Sequence, residues 1–159
     1  MIDHTYHLAL HRIEPAAGGA ATVVFAVEPH AGELHVRLGA DESMALIAER
    51  AGLSTPRARL ALTLGRLVEQ LDASLEEVRL SRVDGALIAA SLIVGHGPLP
   101  IELPVCFGEA IALAVTHRLP IVGDESLQPL LRVTHAAVDE PDVALPATIV
   151  AFVNSLSDR

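Results

Sequence analysis

The sequence predicts an α+β domain: a mixed, mostly antiparallel sheet built from hairpins, with helices packed on it. Three observations carry this. Apolar segments with period-two alternation come in pairs joined by turn residues, at 22–28 with 33–39 and at 75–83 with 86–94. Each pair is followed by stretches whose apolar residues recur at helical spacing. Nothing repeats at a fixed period, so the layout is two hairpin blocks, each followed by helices.

In chain order, residues 4–14 alternate loosely, with Tyr6, Leu8 and Leu10 on one face and His7, Ala9 and His11 on the other. This predicts an edge strand. His7 and His11 share a face but lie about 13 Å apart at strand rise, too far to share a metal. Residues 15–20, PAAGGA, form a turn. TVVFAVE at 22–28 is β-branched and apolar, and ELHVRLG at 33–39 alternates cleanly, with Leu34, Val36 and Leu38 inward.

Asp41 is the expected cap of a helix over 42–51, whose stripe is Met44, Ile47, Ala48 and Ala51, with Gly52 as its stop. A second helix spans 59–72, with Leu60, Leu64, Leu67, Val68 and Leu71 expected on its buried face. Asp84-Gly85 is a strong hairpin turn between 75–83 and 86–94. ALIAASLIV at 86–94 is apolar on both faces and predicts a central strand. Pro100 and Pro104 place the strand 99–105 at an edge. Gly108-Glu109 opens an alanine-rich helix over 110–118, which Pro120 stops. IVG at 121–123 is extended, and Asp124 caps a turn through Leu131. A last helix is expected over 146–156, facing the body through Ile149, Phe152, Val153 and Leu156.

Composition narrows the function classes. At 159 residues and 51% hydrophobic, one well-packed domain is expected. No apolar run reaches the roughly 18 residues of a spanning helix, and the first residues lack the basic flank and cleavage site of a signal peptide. One cysteine, Cys106, permits no internal disulfide and makes a cytoplasmic setting the default. The net charge of −9 repels nucleic acid at long range. All 11 bases are arginine, and with only Tyr6, Phe25, Phe107 and Phe152 as aromatics there is no base-stacking platform.

Cys106 precedes a helix start, where a thiol pKa falls. Its flanks, Val105 and Phe107, read better as those of a buried small hydrophobe. Carboxylates stand at three predicted helix starts: Asp41 with Glu42, Glu109, and Asp124 with Glu125. Helix starts favour acids in any case, so a functional reading gains only if two of these starts converge. Arg57, Arg59, Arg66, Arg79 and Arg82 cluster in the middle of the chain and suit either a phosphate backbone or an ordinary solvated face. There is no phosphate-cradling Gly-rich loop, paired-cysteine metal signature or nucleophile elbow.

The run GEAIALAVTHRLPIVGDESL resembles the bifunctional nuclease family, whose members carry Arg-Pro-Ser-Asp-Ala, then Ile-Ala-Leu-Ala, a polar turn, Pro-Ile and an acidic helix start. LHVRLGADESMALIAE is similar to the family's segment with a Glu-Ala at Glu42, and TPRARLALTLGRLVEQLDASLEEVRL to its Pro-Arg helix and following strand, with Arg57 at the arginine. DGALIAASLIV looks like its Asp-Gly hairpin strand. The resemblance implies a nuclease-like domain over residues 1–135, with 136–159 as an acidic segment and covering helix of the same domain. It also implies a homo-oligomer with sequence-nonspecific DNase and RNase activity, served by Mg²⁺ or Mn²⁺ if active. Glu42 and Glu109 become the candidate catalytic residues, and Arg57 and Arg59 the candidate phosphate-binding residues. The metal ligands stay unknown.

The departures count against strong activity. Cys106, Phe107, Gly108 and Glu109 stand where the family has Arg-Pro-Ser-Asp, and Leu60, Ala61 and Leu62 where it has Thr-His-Asp. Loss of a base or ligand costs about 10²–10⁴-fold in rate, which predicts weak or absent turnover. The alternative is a non-catalytic, oligomeric interaction or regulatory module on the same fold.

Overall fold

The computed structural model describes residues 5–28 and 32–133. They form one eight-stranded sheet in the order β6-β5-β4-β7-β1-β2-β3-β8. The strands are β1 (Tyr6–Pro15), β2 (Ala21–Glu28), β3 (Gly32–Leu38), β4 (Ser74–Asp84), β5 (Leu87–His96), β6 (Leu99–Val105), β7 (Ile121–Gly123) and β8 (Leu131–Val133). Three helices pack on the sheet: α1 (Ala40–Arg50), α2 (Pro56–Gln70) and α3 (Phe107–His117). Every neighbouring pair of strands is antiparallel except β4 with β7. The fold is the mixed, mostly antiparallel α+β sheet with packed helices that the hairpin pattern predicts. No helix among the described residues is long and apolar enough to cross a membrane.

One face of the sheet is the core. Val23, Phe25, Leu34, Val78, Leu80 and Leu92 are fully or almost fully buried on it. Helix α3 lies deepest: Ala110, Ile111, Ala112, Leu113 and Ala114 are all buried. Small side chains let its backbone approach the strands, and at its start Phe107 packs edge-on to Phe25, with ring centroids 6.4 Å apart. The helix-free face carries polar pairs. Arg12 and His35 both bond the carboxylate of Glu33.

Four local expectations change. β1 is an interior strand, because Tyr6, His7 and Leu8 pair with β7 from far along the chain. Helix α1 begins one residue before Asp41, with Gly39 as its cap residue, so Asp41 and Glu42 occupy its first turn. Its buried set is Ser43, Leu46, Ile47, Ala48 and Glu49, whereas Ala51 is exposed. Helix α2 starts at Pro56, because Thr55 accepts a hydrogen bond from the Ala58 amide and caps the helix there. It buries Ala61 and Gly65 and turns Leu60, Leu64, Leu67 and Leu71 outward. Cys106 is exposed, not buried, since it is the cap residue of α3 and lies outside the packed turn.

β5 is interior and β6 is an edge strand, as their apolar and proline patterns predict. Asp124 accepts from the Ser126 amide at the start of the 3₁₀ turn Glu125–Leu130. The helix expected over 146–156 and the segment 136–159 lie outside the described residues.

A candidate active site where three helices begin

Three helix starts converge. Glu42 is the third residue of α1, Arg57 the second of α2 and Gly108 the second of α3. A Cβ placed on Gly108 would stand 2.7 Å from Glu42 Oε1 and 3.1 Å from Arg57 Nη1. Gly108 is itself buried, and only glycine lets both side chains close in on the start of α3 at that notch. An acceptor and a donor therefore border the same point, against the backbone of a helix start. There the amides of Phe107 and Gly108 lack an intrahelical acceptor by position, and the α3 dipole favours negative charge.

Arg57 is aimed by its neighbours. Its Nε donates to Glu49 Oε1 at 3.0 Å and its Nη2 to Glu49 Oε2 at 2.9 Å. Thr55 Oγ1, besides capping α2, donates to Glu49 Oε1 at 2.7 Å. The Glu49 side chain is only 2% exposed, against 23% for Arg57. The pair locks the last turn of α1 to the first turn of α2 through a two-bond fork, the geometry in which arginine holds a carboxylate most firmly. The fork uses Nε and Nη2 and leaves Nη1, on the Gly108 side, without a hydrogen bond to any described residue. Glu42 is exposed and likewise makes no hydrogen bond or ion pair to a described residue.

The four candidate residues fall in three different settings. Glu42 and Arg57 meet at the notch. Glu109 is the next residue of α3, but its Oε2 accepts from the Cys106 amide at 3.3 Å and closes the helix start. Arg59 lies on the exposed side of α2, two residues and about 200° of helical turn from Arg57. The sequence marks Gly108 only as a helix opening and a departure from the family's motif, and it does not single out Glu49 or Thr55. Thr55-Pro56 is a legible cap signature. Glu49 also left a trace: an acid in the last turn of a helix opposes the dipole and asks for a cation.

The donor set does not fit a metal centre. No group of three His, Cys, Asp or Glu side chains among the described residues could hold one. At the notch a single carboxylate faces a guanidinium, which repels a cation. The chemistry on offer is anion binding beside a free carboxylate.

The family model of the bifunctional nuclease domain matches residues 23–133. The chain belongs to that family. The matched span holds all three helices, so the Gly108 notch is built entirely from the bifunctional nuclease domain. A search of curated proteins finds no match.

Proposed function

We propose that this bifunctional nuclease domain binds a phosphodiester of DNA or RNA at the Gly108 notch and hydrolyses it slowly, without sequence preference. The observation that carries the reading is the pair of uncommitted groups, Glu42 Oε1 and Arg57 Nη1, brought together against the Gly108 backbone at the start of α3. In this reading Arg57 Nη1 and the first amides of α3 donate to a non-bridging phosphate oxygen, where charge grows in the transition state. Glu42 accepts the proton of the attacking water as that water bonds to phosphorus and the bond to the leaving oxygen breaks, the leaving oxygen taking its proton from solvent. Glu109 keeps the α3 start in shape through the Cys106 amide, and Arg59 meets the approaching backbone from outside. The net charge of −9 keeps binding weak and strongly salt-dependent. The same reading keeps the expectations of a homo-oligomer and of a cytoplasmic setting.

Cleavage of single- and double-stranded substrates, followed with Mg²⁺, with Mn²⁺ and with chelator, tests this. Turnover should fall about 10²-fold or more in Glu42→Gln. No cleavage by the parent chain, or cleavage unchanged in Glu42→Gln, overturns the proposal.

A second reading, a non-catalytic interaction module, is favoured by the apolar run Leu60-Ala61-Leu62 at the family's Thr-His-Asp positions. It predicts salt-dependent nucleic-acid binding that Arg57→Gln weakens, with no turnover under any ion.

A further inference from the structure

The charged tip of Glu42 lies where an anion at the notch would have to sit. Three heavy atoms stand nearest the point that a Gly108 Cβ would take. Two are Glu42 Oε1 and its carboxyl carbon, at 2.7 and 3.3 Å, and the third is Arg57 Nη1. It is therefore the carboxylate of Glu42, not its stem, that rests against the start of α3. The residue is otherwise exposed, in the first turn of its own helix, so solvent is equally open to it.

The placement has an electrostatic cause. The start of α3 is the positive end of a helix dipole, and the Arg57 guanidinium adds a full positive charge beside it. Glu42 answers that field with its own charge. Nothing ties it down further, because it makes no hydrogen bond or ion pair to a described residue, and Arg57 pairs with Glu49 instead. An exposed carboxylate held by the field alone is held weakly. A phosphate oxygen accepting from Arg57 Nη1 and the first amides of α3 needs the same space, and two negative charges so close repel.

We propose that Glu42 is an internal competitor for the anion at the notch: its carboxylate rests against the start of α3 and swings out before a phosphate enters. The inference rests on the reading of the notch as a phosphodiester site, and it adds how that site is regulated. Displacement carries the carboxylate to the solvent side of the incoming phosphate, where an acceptor for the proton of an attacking water has to stand. Occupation of the site and release of the base are then one event.

Titration of the full chain with inorganic phosphate and with dimethyl phosphate tests this, followed through the amide resonances of Phe107 and Gly108 at fixed ionic strength. Glu42→Gln should bind both anions about tenfold more tightly than the parent chain, although its turnover falls. Arg57→Gln added to Glu42→Gln should abolish that gain. Asp41→Asn removes the same charge from the same helix turn but not from the notch, so its affinity should stay within about twofold of the parent's. Equal or weaker affinity in Glu42→Gln, or an equal gain in Asp41→Asn, overturns the proposal. If cleavage falls in Glu42→Gln while affinity does not rise, the nuclease reading stands and only the competitor role is lost. Binding by none of the variants overturns the anion site itself, and with it both readings.

Discussion

The imidazole of His117 occupies the space that a side chain at Gly65 would need. Its Nε2 lies 2.8 Å from the Ala61 carbonyl, and a Cβ on Gly65 would come within 2.1 Å of the ring. Helices α2 and α3 are in contact because one gives up a side chain where the other inserts a ring. Gly65→Ala should therefore destabilise the domain by about 1–3 kcal/mol through overpacking, outweighing the ~0.5–1 kcal/mol that alanine gains over glycine in a helix. In a His117→Ala background the same change should become neutral or stabilising. A double-mutant cycle by urea unfolding would show the sign reversal.

Glu49→Gln should cost about 2–3 kcal/mol. It strips the charge from a carboxylate that holds three hydrogen bonds and leaves the Arg57 guanidinium without its counter-charge. If the Glu49–Arg57 pair were only a surface contact, the loss measured in thermal unfolding would stay below about 1 kcal/mol.

Gly108→Ala should separate function from folding. The added methyl meets the end of the Glu42 side chain, which can swing away cheaply, so stability should change by less than about 1 kcal/mol. The methyl would push Glu42 Oε1 and Arg57 Nη1 away from the start of α3, and cleavage or binding of a phosphodiester should fall at least about tenfold. A melting curve and a rate measured on the same preparation check both halves.

On the helix-free face, the Arg12 hydrogen bonds and, less strongly, that of His35 hold the Glu33 carboxyl at about 2, against an ordinary 4.5. A carboxyl depressed on folding binds more protons in the unfolded chain, so it stabilises the fold fully above pH ~4.5 and loses that contribution as pH falls toward 2. The other charged groups nearby are Glu14, which shares Arg12, and Arg132, which stands opposite Glu33 in the register. Glu33→Gln should flatten the fall of unfolding free energy between pH 4.5 and 2 and leave its form near neutrality unchanged in slope. Urea unfolding at a series of pH values measures this.

How much of this could be read in advance depends on the range of the interaction. The Asp84-Gly85 hairpin, the edge position of the proline-bearing β6, the alanine-rich α3 and the Asp124 cap are local signals, and each appears in its place. The interior position of β1 was hidden, since its second neighbour comes from residues more than a hundred positions later. For α2, helical spacing marks an apolar stripe but not what covers it, and the strongest stripe points away from the chain's own core. At the site, the residue types of Glu42 and Arg57 were legible, but their meeting over Gly108 depends on three helices docking. The cysteine was misjudged because its apolar flanks outweighed its position as a cap.

The shortest interior strand governs how the domain can assemble. β1 with β2, β3 and β8 makes one half of the sheet, and β4 with β5 and β6 the other. Residues 121–123 alone join them, parallel to Val78, Arg79 and Leu80 on one side and antiparallel to Tyr6, His7 and Leu8 on the other. β1 with β2 and β3, and β4 with β5 and β6, can form from near neighbours in the chain, whereas the seam strand β7, like the edge strand β8, reaches its partner in the first half only through a pairing across about a hundred residues. Closing such a loop costs entropy that short-range pairings avoid. The slow step of folding should be the arrival of Ile121, Val122 and Gly123 between two hairpin blocks already formed, and their amides should be the last among the interior strands to gain protection from exchange.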